Sequence, residues 1–173
     1  MDILLTGVVS GIVASAVFYI FLLLVRPKIH ISDDISESHD DGKRIFRIKI
    51  VNKTCSMLTN VKYSLCYCKE ISDGVFDSKE IVPIRPPINV ISKYSGRDKY
   101  SEYAIRFIYE ITPDIDISEG WLEFSIYAHH GFSNTCACVK KIYRAENIKI
   151  GVFETRTSMR IISQGILNAQ NHK

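Results

Sequence analysis

The stretch Gly120–His130, with the sequence GWLEFSIYAHH, decides the fold class because its apolar and polar residues alternate. One side carries Leu122, Phe124, Ile126 and Ala128, and the other carries Trp121, Glu123, Ser125, Tyr127 and His129. Alternation with a period of two is typical of a strand that buries one side and exposes the other. We therefore expect a β-strand here, with the even-numbered side chains in a core.

The same period continues on both sides of this stretch. Further strands are predicted at 28–32, 44–52, 61–68, 102–111, 135–143 and 147–153. Three prolines confine the extended segment 81–91 to an edge or a loop, and the acidic segment 31–43 is expected to be a loop. The pattern predicts an all-β soluble domain of seven to eight strands, either an antiparallel Ig-like sandwich or a small barrel.

A continuous apolar segment, Ile3–Val25, precedes the strands and contains no charged residue. At about 1.5 Å per residue, about 20 helical residues cross the hydrocarbon core of a bilayer. A secretory signal peptide would need basic residues at the N-terminus, and only Met1 and Asp2 precede the segment. We expect one N-terminal transmembrane helix that ends before Pro27.

The predicted orientation follows from the basic residues that flank this helix. Arg26 and Lys28 follow it, whereas no Lys or Arg precedes it. Basic residues favour the cytoplasmic side, so we expect a single-pass protein of the cell inner membrane with its C-terminal domain in the cytoplasm. The odd number of cysteines, five, also fits a reducing compartment.

The predicted organisation has four parts: the transmembrane helix 3–25, a juxtamembrane strand and acidic loop 26–43, the β-domain 44–153, and a C-terminal tail or short helix 154–173.

The net charge of +3 is mild. Binding to nucleic acid favours a strongly basic surface, so we expect no DNA or RNA partner.

Small residues recur every four positions in the apolar helix, at Gly7, Gly11 and Ser15. Such a face lets two helices approach closely and pack in a bilayer. We expect the chain to contact the lipid bilayer and to self-associate through this face. The alternative is that these glycines only reflect the higher glycine content of membrane helices.

Two Cys-x-Cys pairs raise the question of a metal site: Cys66 with Cys68, and Cys136 with Cys138. Each pair shares one side of a predicted strand. If 131–134 is a four-residue hairpin loop, His129 faces Cys136 and Tyr127 faces Cys138. His129 and the thiols of Cys136 and Cys138 would then share one patch, and Cys66 or Cys68 could supply a fourth ligand if the 61–68 strand lies alongside. Zinc, which prefers four tetrahedral ligands, is the only cofactor considered. The alternative is reduced thiols that pack as small apolar groups, with no cofactor.

A second candidate site is the aromatic side of the 120–130 strand. Trp121, Tyr127 and His129 alternate there, and we expect Arg106 nearby. Aromatic rings and a cation can hold a nucleotide. A second core face or a protein-binding surface is the alternative. The sequence contains no known nucleophile, metalloprotease or phosphate-loop motif, so no catalytic residue and no enzyme activity are expected.

The layout of an N-terminal anchor, the exit RPKIHIS (26–32) and a compact β-domain with RIKIVNKT (47–54) resembles small bacterial single-pass membrane proteins with a cytoplasmic β-sandwich or β-barrel. It is similar in layout to membrane-anchored effectors of cyclic-oligonucleotide antiphage signalling, which usually have two or more membrane helices.

Two functions are therefore expected. The first is a non-enzymatic anchor that presents its β-domain to a partner or ligand. The second, implied by the resemblance, is an antiphage-defence effector whose β-domain senses a cyclic nucleotide and whose helices oligomerise to disrupt the inner membrane.

Overall fold

The computed structural model describes residues 2–94 and 103–163, except the side chains of residues 2–5, 23 and 24. Its helix α1 spans Asp2–Leu24. The strands are β1 Ile29–Ile31, β2 Ile35–Asp40, β3 Lys43–Asn52, β4 Leu58–Ser72, β5 Val75–Ile81, β6 Ala104–Ile111, β7 Gly120–His130, β8 Cys136–Tyr143, β9 Ile148–Ile150, β10 Val152–Phe153 and β11 Ile161–Ile162. The predicted tail beyond residue 163 lies outside the described residues.

Helix α1 confirms the predicted N-terminal helix. Its apolar side chains lie on all sides, and those described from Thr6 to Phe21 are exposed, so the β-domain does not cover them. Among the described residues, no helix is both long enough and apolar enough to cross a membrane.

The first sheet is built around β3. Strand β6 pairs antiparallel along one edge of β3 over eight residue pairs. Strands β1 and β2 share the opposite edge, where both pair antiparallel with β3. Strand β9 then adds to β2 in parallel. The segment predicted as juxtamembrane therefore contributes two strands to this sheet.

The second sheet has four antiparallel strands in the order β5-β4-β7-β8. Strand β4 is the longest, with 15 residues. Its N-terminal end lies beside His130, and its C-terminal end continues into a hairpin with β5. The ends of β4 therefore lie about 45 Å apart at 3.3 Å per residue.

The hydrophobic core lies between the two sheets. Phe107 on β6 and Phe124 on β7 bring their ring centroids to 5.8 Å, and Tyr63 on β4 lies 4.1 Å from Phe107. The even-numbered residues of β7 from Leu122 to Ala128 are buried, as predicted. The all-β prediction is confirmed for the described domain.

The acidic segment predicted as a loop is instead strand β2, which corrects the sequence analysis. Asp41 and Gly42, with φ values of 48° and 76°, form a two-residue turn between β2 and β3. This Asp-Gly pair was a hairpin signal. Ile35 of β2 is buried in the core. Glu37 is also buried, and its carboxylate lies 2.6 Å from the Arg44 guanidinium, so the strand buries this acidic side chain with a partner.

The predicted seven to eight strands are also too few, since the described residues form eleven. The missed strands include β5, which follows β4 across a turn at Asp73 and Gly74, and β11, which pairs with β10. Residues 161–162 of the predicted tail are therefore in a strand. Strand β5 has seven residues, but all except Ile81 are exposed, so it lacks the alternation of a half-buried strand. Strand β11 has only two residues, too few to show a period.

Candidate functional site

The junction between helix and β-domain is formed by Val25, the residue after α1, and the loop between β7 and β8. The backbone carbonyl of Val25 accepts hydrogen bonds from Oγ of Ser133 at 3.3 Å and Oγ1 of Thr135 at 3.1 Å. The two hydroxyls are also 2.8 Å apart. Helix ends leave carbonyls without intrahelical partners, and this loop satisfies one of them.

His130 holds the same loop from inside. Its side chain is buried, and Nδ1 accepts hydrogen bonds from the backbone N–H groups of Phe132 at 3.3 Å and Ser133 at 3.1 Å. Two donors facing Nδ1 place the ring proton on Nε2 in the neutral imidazole. Asn134, with φ of 54°, then turns the chain back into β8.

The outer side of the same hairpin confirms the predicted register. His129 lies opposite Cys136, and Tyr127 lies opposite Cys138. Both nitrogens of His129 are engaged, which the alternation of β7 did not indicate. Nε2 is 2.7 Å from the Tyr127 hydroxyl, and Nδ1 is 2.7 Å from Oδ1 of Asn134. The adjacent Cys136 thiol and burial raise the pKa of Tyr127.

The predicted zinc site is not assembled, which corrects the interpretation of the two Cys-x-Cys pairs. Cys66 on β4 pairs with Glu123 of β7, whereas Cys138 on β8 pairs with Tyr127. Glu123 and Tyr127 are four residues apart along β7. Four residues span about 13 Å of strand, which is too far for a shared ion.

The thiols of the two pairs differ in exposure: Cys66 and Cys68 are half-buried, whereas Cys136 and Cys138 are exposed. Cys68 lies beside Trp121, further still from the hairpin loop, and His129 is occupied by its neighbours. Within the part of the chain that the structure describes, no group of three or more His, Cys, Asp or Glu side chains could hold a metal ion.

The predicted nucleotide site on the aromatic side of β7 is not assembled either. Arg106 is on β6 of the other sheet, where Nη2 donates to the carbonyls of Phe153 at 3.2 Å and Glu154 at 3.3 Å. Trp121 is six residues along β7 from Tyr127, or about 20 Å. The alternation of a strand shows which side chains share its face but not which sheet the strand joins.

A cavity of about 420 Å³ lies near the helix exit, with His30, Lys53, Tyr94 and Thr157 in its wall. Burial and the charge of Lys53 lower the pKa of His30. Nδ1 of His30 is buried and lacks a hydrogen-bond partner among the described residues. Tyr94 is half exposed and packs edge-on against Tyr103. The site therefore offers a cation, an unsatisfied ring nitrogen and an aromatic ring.

The opposite end of the β-domain exposes apolar side chains. The β4–β5 hairpin projects Ile71, Val75 and Phe76, each more than half exposed. Phe76 also contacts Trp121 edge-on, with ring centroids 5.5 Å apart. We call Ile71, Val75, Phe76 and Trp121 the distal hairpin patch.

An acidic cleft of about 330 Å³ lies beside the distal hairpin patch, and Trp121 lines it. Its wall includes the carboxylates of Glu70, Glu119 and Glu146 and one basic residue, Arg144. Lys69 pairs with Glu119. The cleft therefore favours basic groups over phosphate.

Lys49 on β3 is a buried cation, with only 1% of its surface exposed. The segment 153–160 covers it, and Nζ donates to the carbonyls of Glu154 and Ser158, both at 2.6 Å. Burial and the nearby charge of Arg106 lower the pKa of Lys49 to about 8. No sequence signal marked this contact, because it depends on where a distant segment lies.

The predicted helix-packing face is open in the structure. A Cβ atom added at Gly7 or Gly11 would meet no atom within 4 Å. The Ser15 hydroxyl donates to the carbonyl of Gly11 at 2.8 Å, so this polar group is satisfied within the helix. The three residues therefore leave a smooth, unoccupied stripe along α1.

Comparison with known proteins adds no family. The protein-family models do not match this chain, and neither do the curated proteins with which it was compared.

Proposed function

We propose that this chain is a non-enzymatic, single-pass protein of the cell inner membrane that presents an Ig-like β-domain to a protein partner on the cytoplasmic side. The observation that carries the proposal is the exposed distal hairpin patch, at the end of the domain far from the helix. The packing of two separate, mainly antiparallel sheets on one shared core favours the sandwich description over a barrel.

The anchor is supported by the uncharged segment Ile3–Val25. A helix of 23 residues is roughly 35 Å long, compared with about 30 Å for the hydrocarbon core. A helix that is apolar on all sides requires an apolar environment on all sides. The described side chains of α1 are exposed in the isolated chain, and a bilayer supplies that environment.

The cytoplasmic orientation is supported by Arg26 and Lys28, which directly follow the helix. The five cysteines are all unpaired, and three of them are exposed, which fits a reducing compartment. The open stripe of Gly7, Gly11 and Ser15 supports self-association of the anchor within the bilayer.

The chemistry of the distal end defines the partner. Contiguous exposed apolar side chains are typical of protein-binding surfaces. The neighbouring carboxylates of Glu70, Glu119 and Glu146 would attract basic residues. We expect a partner segment with large apolar side chains flanked by Lys or Arg.

Site-specific photo-crosslinking in cells tests this function. A photoreactive amino acid at Val75 of the full chain should yield a discrete adduct, and the same probe at exposed Thr155 should not. Phe76→Asp should abolish the Val75 adduct, and the crosslinked peptide should be apolar and basic. Equal adducts at Val75 and Thr155, or none at Val75, would contradict the proposal.

The His30–Lys53 cavity favours a second candidate, the antiphage effector that senses a cyclic nucleotide. Lys53 could bind a phosphate, and the ring of Tyr94 could stack on a base. Ligand binding would then promote assembly of the helices and disrupt the inner membrane.

This second function predicts that one cyclic di- or trinucleotide raises the melting temperature of the full chain in detergent. A ligand that binds only the folded state stabilises it by about 2.7 kcal/mol at a hundred-fold excess over Kd. Lys53→Glu should remove the shift. If no nucleotide in the panel shifts the melting temperature, the second function is contradicted and only the protein-binding function remains.

A further inference from the structure

The loop between β7 and β8 presents a large aromatic side chain to solvent. Phe132 is 80% exposed, the highest value among the exposed large apolar residues of the described chain. Met57 lies beside the loop and is half exposed, and the backbone N–H of Gly131 donates to its carbonyl at 2.9 Å. Both apolar side chains are therefore exposed at the helix end of the β-domain.

The position of this loop relative to α1 is fixed by hydrogen bonds. Ser133, the residue after Phe132, donates to the carbonyl of Val25 at the end of the helix, as does Thr135. Inside the loop, the backbone N–H of Phe132 donates to Nδ1 of buried His130. Phe132 therefore lies beside the point where the helix ends. Its loop is hydrogen-bonded both to the carbonyl of Val25 and to the buried ring of His130.

Basic residues lie near the same point. Arg26 and Lys28 are exposed immediately after the helix. The backbone N–H of Lys53 donates to the carbonyl of Lys28 at 2.8 Å, so a third exposed basic residue lies on the adjoining segment. An apolar loop with three basic residues on the adjoining segments matches the headgroup region of an anionic leaflet, where aromatic rings and basic side chains are favoured.

We propose that Phe132 and Met57 insert into the headgroup region of the leaflet from which α1 emerges, while Arg26, Lys28 and Lys53 contact its anionic lipids. This second membrane contact rests on the proposed anchor, because the bilayer lies beside Phe132 only if α1 spans it. The helix and the domain bound to it can tilt together in the bilayer, and a second contact through the loop restricts that tilt.

This contact also determines where the distal hairpin patch lies. Strand β4 begins beside the membrane-facing loop and runs about 45 Å to the hairpin. With the loop side against the lipid, the patch points away from the bilayer and is accessible to a cytoplasmic partner.

Fluorescence quenching in vesicles tests the inference with the full chain. The chain contains one tryptophan, Trp121, near the distal end of β7. The double variant Trp121→Phe, Phe132→Trp moves the only indole to the loop. The variant is reconstituted in phosphatidylcholine–phosphatidylglycerol vesicles with and without bromine on the upper part of the acyl chains, and flotation first establishes that it is membrane-bound.

We expect brominated lipid to quench most of the emission from the indole placed at position 132. The native chain is the matched control, because Trp121 lies about 30 Å along β7 from His130 and should keep its emission. Unchanged melting temperature of the variant would confirm that the exposed site tolerates the exchange.

The other outcomes are distinct. A chain that floats with the vesicles but whose loop indole is unquenched and accessible to acrylamide would overturn the inference and leave the anchor standing. A buried but unquenched indole would indicate a protein contact instead and would also overturn it, as would equal quenching at positions 121 and 132. Failure to float would refute the proposed anchor itself.

Discussion

The backbone carbonyl of Val25 lies 3.1 Å from Oγ1 of Thr135, and the two residues are 110 positions apart in the chain. The first residue after the helix is thus bound to the loop that joins β7 to the edge strand β8 of the second sheet. Because that loop leads directly into β7 and β8, a force on the helix end reaches the second sheet without a flexible linker.

Removing the Thr135 hydroxyl should loosen this junction. Thr135→Val keeps the shape of the side chain but loses the bond to Val25, so unfolding free energy should fall by about 0.5–1.5 kcal/mol. Urea unfolding of the full chain in detergent measures the change. Thr155→Val, at an exposed threonine, is the control and should change stability by less than about 0.5 kcal/mol. Equal effects of both variants would contradict the assigned role of Thr135.

A bulky residue on the open helix face should reduce self-association. Gly11→Ile fills the stripe between Gly7 and Ser15 and keeps two helices apart. Energy transfer between labelled chains in vesicles should fall, whereas Val13→Leu on the opposite side of α1 should leave it unchanged. Retained energy transfer in Gly11→Ile would exclude this face as the contact.

The cysteines should divide into two reactivity classes without metal. Cys55, Cys136 and Cys138 are exposed and should react quickly with a thiol reagent at pH 8. Burial raises the pKa of the Cys66 and Cys68 thiols, so these two should react more slowly. A chelator should change neither the rates nor the melting temperature. A chelator-dependent drop in melting temperature would restore the zinc interpretation.

Stability should depend on pH through Lys49. Its folded pKa is about 8, whereas an unperturbed lysine has a pKa of about 10.4. Between these values the unfolded chain binds more protons, so the contribution of Lys49 to unfolding free energy should rise with pH, by up to about 3 kcal/mol. It should be lowest and constant below pH 8.

Urea unfolding of the native chain and Lys49→Met at pH 7 and pH 10 isolates this effect. The difference between the two proteins should increase at pH 10 in favour of the native chain. Lys62→Met, at an exposed lysine, should show no such trend. A pH-independent difference for Lys49→Met would mean that Lys49 is not desolvated.

The sequence predicted the core strands and one register well. Strict alternation in β7 identified Leu122 and Phe124 as core residues. The short loop 131–134 aligned His129 with Cys136, because a hairpin's loop length sets its pairing. These are local relationships, and local pattern is what a single sequence contains.

Contacts between distant segments could not be predicted. Arg106 and Trp121 were expected together, but alternation does not reveal that β6 and β7 belong to different sheets. The burial of Lys49 depends on segment 153–160, which follows it by about a hundred residues. The Asp-Gly turn at Asp41 was a readable local signal, and the acidic composition of the segment masked it.

The measurement that tests the central claim most directly is alkaline carbonate extraction of membranes from cells that produce the full chain. The account predicts that the chain stays in the membrane pellet, as an integral protein with α1 in the bilayer does. Release of the chain into the supernatant would contradict the anchor, and with it both proposed functions and the inferred lipid contact of Phe132.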